Sequence, residues 1–213
     1  MSALSAAMYL VSSLQAEVLD RIAVTVGRKV ITHSEIVDQI RVAAFLNEEQ
    51  PDFSPAARRK AAERLVEQTL VRIEMELSRY PEPAEAAVEK ALAEVKRTRQ
   101  LSGHAFSELL AGYKLTEEVL RRNLANQLRI LLFIDYRFRP SVAVSSQDVE
   151  QYYRERFLPE WKKTSGQVPP ELDEVWDGLM EKLRDQRTET ALDDWMREAR
   201  KAVRVIWMKE AFQ

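Results

Sequence analysis

Apolar residues recur every three or four positions along most of this chain, a spacing that predicts α-helices with one buried face. Residues 22–32 (IAVTVGRKVIT) alternate instead, as a short β-hairpin does, and residues 203–207 (VRVIW) are the other good strand candidate. A two-stranded hairpin is at best marginally stable alone, so we expect the late strand to pair with the early hairpin. The sequence therefore predicts a mostly α-helical fold, in which a small antiparallel β-hairpin is completed by a C-terminal strand.

Helix boundaries are marked by capping residues, prolines and glycines. Thr32 and Glu35 have capping-box spacing, Ser54 precedes a first-turn proline, and Ser145 with Asp148 repeats the capping pattern. Thr116 opens another helix, and Gly112 is expected to terminate the one before it. With these signals, the apolar stripes predict helices over about 33–47, 55–80, 88–100, 103–112, 116–138, 146–153 and 172–199.

Two segments stand apart from these amphipathic helices. Residues 159–170 (PEWKKTSGQVPP) are rich in helix breakers and polar side chains, which predicts a linker. Residues 130–138 (ILLFIDYRF) are apolar on more than one helical face. That pattern indicates either deep burial or a surface that is covered only part of the time.

Composition and the N-terminal segment narrow the possible partners and the cellular location of the protein. Among 213 residues, 32 basic side chains balance 34 acidic ones, so nothing attracts the chain to nucleic acid or to anionic membranes. The absence of cysteine excludes disulfides, thiolate metal sites and a cysteine nucleophile. Residues 4–14 (LSAAMYLVSSL) are too short to span a bilayer and resemble the hydrophobic region of a secretory signal. The alternatives are an unstructured or helical N-terminal extension and a misplaced start.

The motifs of common catalytic and metal sites are missing from the sequence. It contains no glycine-rich phosphate loop, no G-x-S-x-G elbow and no H-E-x-x-H helix. The two histidines, His33 and His104, each fall in or beside the first turn of a predicted helix, where a solvated or capping role is expected. We therefore predict no catalytic residue, no metal site and no cofactor.

The order of the motifs resembles that of SurA-type periplasmic chaperones and the related parvulin foldases. The resemblance lies in VLDRIAVTVGRKVITHSEI (18–36), SGHAFSELLAGYKLTEEVLRRNL (102–124), VAVSSQDVEQYYRERF (142–157) and the closing LMEKLRDQRTETALDDWMREARKAVRVIW (179–207). In that family, one or two parvulin prolyl isomerase modules separate the sixth helix from the last helix. Here only residues 158–171 do so, too few for an independent domain, and the isomerase module is expected to be missing.

The resemblance implies a domain plan and a function. It divides the chain into a signal or apolar segment (1–16), a SurA-N-like helical domain (17–157), a linker replacing the isomerase (158–170) and a returning helix and strand (171–213). It implies an ATP-independent periplasmic holdase that binds unfolded or newly exported polypeptides, such as outer-membrane protein precursors. No nucleic acid and no stable membrane insertion after signal removal are expected, and a homodimer is left open. The alternatives are an adaptor that uses residues 130–138 for one fixed partner, and a degenerate prolyl isomerase.

A holdase needs an apolar surface on which an extended peptide can bury its side chains. Aromatic residues at helix ends and in connections are candidates to border such a cleft, although aromatics also dominate cores. The candidate peptide-binding residues are Phe45, Phe53, Tyr80, Tyr113, Phe133, Tyr136, Tyr153 and Trp161.

Overall fold

The computed structural model describes residues 20–212, and most of them are helical. Residues 1–16, interpreted above as a signal or apolar segment, lie outside the described residues. Strands β1 and β2 open the fold, helices α1 to α8 follow, and β3 closes it. Their bounds are β1 Ile22–Val26, β2 Lys29–Thr32, α1 His33–Asn47, α2 Pro55–Ser78, α3 Glu85–Thr98, α4 Gly103–Gly112, α5 Glu117–Arg137, α6 Ser146–Tyr152, α7 Leu158–Thr164, α8 Leu172–Ala202 and β3 Val205–Trp207.

The predicted return of the C-terminal strand is confirmed. Within residues 20–212 the strands form an antiparallel sheet in the order β2–β1–β3, with Val24 opposite Trp207 and Val26 opposite Val205. The Gly27 N–H donates to the Arg204 carbonyl at 2.8 Å, which extends this pairing into the hairpin turn. Gly27 has a positive φ of 59° and occupies the first central position of the two-residue turn, where a type II′ turn favours glycine. The two ends of the described chain are thus joined through β1.

The inner face of the sheet forms the first core. Val24, Val26 and Ile31 are buried against apolar side chains of α1 and α2, because alternate strand residues point to the same face. The C-terminal part of α8 covers this core from another side. It contributes Trp195, Met196 and Ala199.

Two further cores lie between helices. One, centred on Phe45 and Phe106, joins the end of α1 to α3, α4 and the first half of α5. The other, centred on Phe133, joins the ends of α2 and α5 to Trp195 of α8. Because Trp195 packs against both this core and the sheet core, α8 connects them.

The predicted N-terminal caps have the expected geometry at most helices. Thr32 with Glu35, and Ser145 with Asp148, form complete capping boxes. The Ser54 and Thr116 hydroxyls accept hydrogen bonds from the backbone N–H groups three residues later. Ser102 is the N-cap of α4, although its hydroxyl makes no capping hydrogen bond within residues 20–212.

The predicted linker over 159–170 is wrong in its first half. Residues up to Thr164 are helical, and the helix continues through Pro159, the second residue of α7. A π turn, Tyr153–Phe157, joins α6 to α7 without a break. We call the resulting continuous helix, residues 146–164, the arm helix. Irregular chain is confined to the remainder of the segment, up to Glu171.

Helices α1 to α4 are each followed closely by a left-handed residue that is not glycine. These residues are Glu48, Arg79, Gln100 and Lys114, with φ between 54° and 61°. After α4, the Leu115 N–H donates to the Leu110 carbonyl at 3.0 Å and the Lys114 N–H to the Ala111 carbonyl at 2.9 Å, which is a Schellman motif. The helix does end at Gly112, as predicted, but the left-handed position falls on Lys114.

We predict that Lys114→Gly stabilises the protein. Glycine removes a left-handed strain of about 1–2 kcal/mol, and its extra freedom in the unfolded chain costs about 0.4–1 kcal/mol. The expected net gain in the free energy of unfolding is about 0.5–1 kcal/mol, measured by urea denaturation. Lys114→Ala is the control, because alanine keeps the Cβ atom and should give no gain. Equal stabilisation by both variants would contradict this explanation.

Candidate peptide-binding site

The eight predicted aromatic residues do not converge on one surface. Phe45 is fully buried, and its ring makes edge contacts with Phe106 at 6.2 Å and with the half-buried Tyr113 at 5.5 Å. Phe53 is partly exposed in the connection between α1 and α2, with the Arg41 guanidinium 5.9 Å from the centre of its ring. Phe45 therefore supports the core and offers no surface to a peptide.

Phe133 is likewise a core residue. Its ring lies 4.7 Å from that of Trp195 and is fully buried. Next to it, the half-buried Tyr80 stacks on the exposed Tyr136 with ring centres 6.0 Å apart. Of the five aromatic residues around this core, Phe138 included, Tyr136 is the exposed one.

The apolar segment 130–138 is partly buried and partly exposed. Phe133 and Phe138 are buried in the third core, whereas Leu131 is 57% exposed on the opposite side of α5. The segment is apolar on several faces because one face fills the core and another is left uncovered.

A cleft of about 750 Å³ lies where three distant segments meet, and no predicted aromatic residue lines it. Its walls are the hairpin turn at residues 27–29, the last turns of α2 with Ile73 and Leu77, and the α8–β3 junction at residues 202–204. Leu77 is 76% exposed here. The α2 stripe contains Leu70, Ile73 and Leu77, but the sheet core incorporates only the first two, so the stripe continues uncovered into the cleft.

The rim of the cleft is mainly basic. Arg28, Lys29 and Arg204 border it, and Glu76 pairs with Lys29 at 3.0 Å. An apolar floor with a charged rim suits a polypeptide segment that buries apolar side chains while its polar groups stay at the edge. The sequence signal for this site was the length of the α2 stripe, which exceeds what three short strands can cover.

The outer face of the sheet also carries exposed apolar side chains. Val30 and Ile206 both lie opposite Thr25 and so form one row across the three strands. Both are exposed, as is Ile22 at the start of β1. This row is a second uncovered apolar surface on the same sheet.

Tyr153 and Trp161 lie on the arm helix together with Phe157, which the sequence analysis did not select. The three residues are four positions apart, so they share one face of the helix. Their ring centres are separated by 5.6 Å at each step. We call Tyr153, Phe157 and Trp161 the aromatic strip.

The arm helix is attached to α8 by charged groups at its start. Asp148 pairs with Arg187 at 2.7 Å and also closes the capping box of Ser145. The hydrogen bond from Arg187, followed by those from Ser145, holds the pKa of the Asp148 carboxyl well below its usual range.

The histidines have the predicted placement. His33 is the first residue of α1, and His104 lies in the first turn of α4, where it is exposed beside Glu108 at 3.2 Å. Within residues 20–212, no group of three or more histidine, aspartate or glutamate side chains is placed to hold a metal ion. No helix in the same residues combines the length and apolar content needed to cross a membrane.

A comparison with protein-family models found no match to this chain, and a comparison with curated proteins found none either. The surfaces described above therefore carry the functional inference.

We predict that acid weakens the attachment of the arm helix through Asp148. A carboxyl whose pKa is lowered by folding stabilises the native state above its unfolded pKa of about 3.9, and this contribution disappears as pH falls through the lower folded value. Asp148→Asn should therefore be less stable than the wild-type protein at pH 6, and the difference should shrink below about pH 4.

Urea unfolding of both proteins at a series of pH values measures this difference. Asp177→Asn, an exposed substitution on α8, is the control and should change the free energy of unfolding by less than about 0.5 kcal/mol. A wild-type advantage over Asp148→Asn that stays constant down to pH 2 would contradict the assignment.

Proposed function

We propose that this protein is an ATP-independent holdase that transiently binds unfolded or newly exported polypeptides, such as outer-membrane protein precursors in the periplasm. The cleft between the hairpin turn, α2 and the α8–β3 junction is the observation that carries the proposal. Its exposed leucine and basic rim suit segments of many sequences, because burial of apolar surface is not directional. The resemblance to SurA-type chaperones supports the same function.

Release in this mechanism needs no nucleotide. An open, shallow cleft buries few side chains, so each contact is weak and dissociation is fast. The client then leaves when its own folding, or a downstream assembly factor, competes for the same apolar side chains. The basic rim favours clients whose apolar segments are flanked by acidic residues.

A second candidate is an adaptor with one fixed partner. The exposed Leu131 and Tyr136 favour it, because each leaves apolar surface uncovered in the second half of α5. A single complex of fixed stoichiometry would distinguish this function from broad client binding.

We predict that Leu77→Asp impairs the holdase and Leu131→Asp does not. Both leucines are more than half exposed, so each change should alter stability by only about 0.5 kcal/mol. The assay is light scattering after dilution of a urea-unfolded outer-membrane protein into excess chaperone. Wild-type protein and Leu131→Asp should suppress aggregation, whereas Leu77→Asp should lose at least half of the suppression.

Three results would count against the proposal. Unchanged scattering with the wild-type protein would reject the holdase function altogether. Full activity of Leu77→Asp would reject the cleft as its site. Loss of activity in Leu131→Asp alone would favour the α5 surface and the adaptor.

A further inference from the structure

The aromatic strip on the arm helix is covered by the chain's own irregular segment 167–170. The Trp161 Nε1–H donates to the Gln167 carbonyl at 3.2 Å, and the Tyr153 hydroxyl donates to the Pro170 carbonyl at 2.8 Å. Phe157 lies between the two donors in the stack of rings. The strip thus binds backbone carbonyls at both ends and offers ring surface in between.

The covering segment has the features of a polyproline II helix. Proline fixes φ near −65°, and a residue that precedes proline is restricted to extended conformations, which applies to Val168 and Pro169. Glu171, which follows, has φ −64° and ψ 155°, close to polyproline II values. This helix repeats every three residues, so the carbonyls of Gln167 and Pro170 lie on one face, about 9 Å apart.

Proline-rich peptides are recognised when a polyproline II helix docks against aromatic side chains. The aromatic strip presents such rings, and its two hydrogen-bond donors meet carbonyls about one polyproline turn apart. Burial raises the pKa of the Tyr153 phenol, and the carboxylates of Glu171 and Glu174 raise it further, so this hydroxyl remains a donor. Val168 points its side chain outward, at 88% exposure, so contact with the strip does not depend on the apolar residue of the segment.

We propose that the aromatic strip is a binding site for proline-containing extended peptides and that residues 167–170 occupy it in cis. A proline-rich stretch of another polypeptide displaces this segment and makes the same two carbonyl hydrogen bonds. The inference deepens the proposed function and rests on it for the identification of that polypeptide as a client. In this proposal, proline-rich segments of a client bind to the aromatic strip, and its apolar segments bind in the cleft.

The probe is the labelled peptide SGQVPPE, which reproduces residues 165–171, and its binding is followed by fluorescence anisotropy. A cleared variant, with Val168→Gly, Pro169→Ser and Pro170→Gly, removes the cis competitor. Because a tethered segment competes at millimolar effective concentration, the cleared variant should bind the peptide at least tenfold more tightly than wild type. The peptide SGQVAAE should bind neither protein.

Adding Trp161→Leu to the cleared variant should abolish peptide binding. Lys162→Leu in the same background is the matched control, since the neighbouring exposed residue points away from the strip and binding should persist. Equal affinity of the cleared variant and the wild-type protein, or binding that survives Trp161→Leu, would overturn the proposal. Helical content from circular dichroism checks that each variant is folded.

A second measurement uses the unmodified chain. The backbone N–H resonances of Gln167 and Val168 should shift on titration with the unlabelled peptide, because the cis segment leaves the strip, and no shift at millimolar peptide would overturn the proposal. The light-scattering assay separates the two hypotheses. Peptide binding without suppression of aggregation would reject the holdase function but support the peptide site on the aromatic strip. Suppression of aggregation without peptide binding would reject that site but support the holdase function.

Discussion

The antiparallel pairing of β3 with β1 is the contact on which the rest of the fold depends. Without it the hairpin is a marginal ribbon, and the end of α8 loses its continuous connection to the sheet. With it, Trp207 lies opposite Val24, where the Arg59 guanidinium of α2 stacks 3.5 Å from the centre of its ring. Three segments that are far apart in the sequence are thereby held at one place.

The proposed cleft follows from this closure. The cleft exists because the hairpin turn and the α8–β3 junction meet beside the end of α2, where Leu77 has no covering strand. The aromatic strip follows from the four-residue spacing of its rings on the arm helix, which is attached to α8 through Asp148 and Arg187. The fold thus presents two surfaces of different chemistry, for which we propose apolar side chains and polyproline segments as ligands.

The features that could be predicted from the sequence are those that depend on local interactions. The capping boxes at Thr32 and Ser145 need only residues three positions apart, and the β3 strand was recognisable because little else in the chain has strand character. The sites were harder to predict, because burial depends on distant segments. Phe45 and Phe133 were selected as surface aromatics, yet α4 and α8 cover them, whereas Leu77 looked like an ordinary member of a buried stripe. Pro159 was interpreted as a helix breaker, although the helix continues through it as the second residue of α7.

A disulfide between Thr25→Cys and Ile206→Cys tests the central pairing most directly, since the natural chain contains no cysteine. Opposed residues on antiparallel strands have Cα atoms about 4.5–5.5 Å apart, within the disulfide range. We expect the bond to form in the folded protein and, by closing a loop of about 180 residues, to raise the free energy of unfolding by about 5 kcal/mol. In the control Val30→Cys with Ile206→Cys, the two positions lie on either side of β1, about 9–10 Å apart, and should not cross-link. Failure of the first pair to cross-link, or equal cross-linking of the second, would contradict the pairing of β1 with β3.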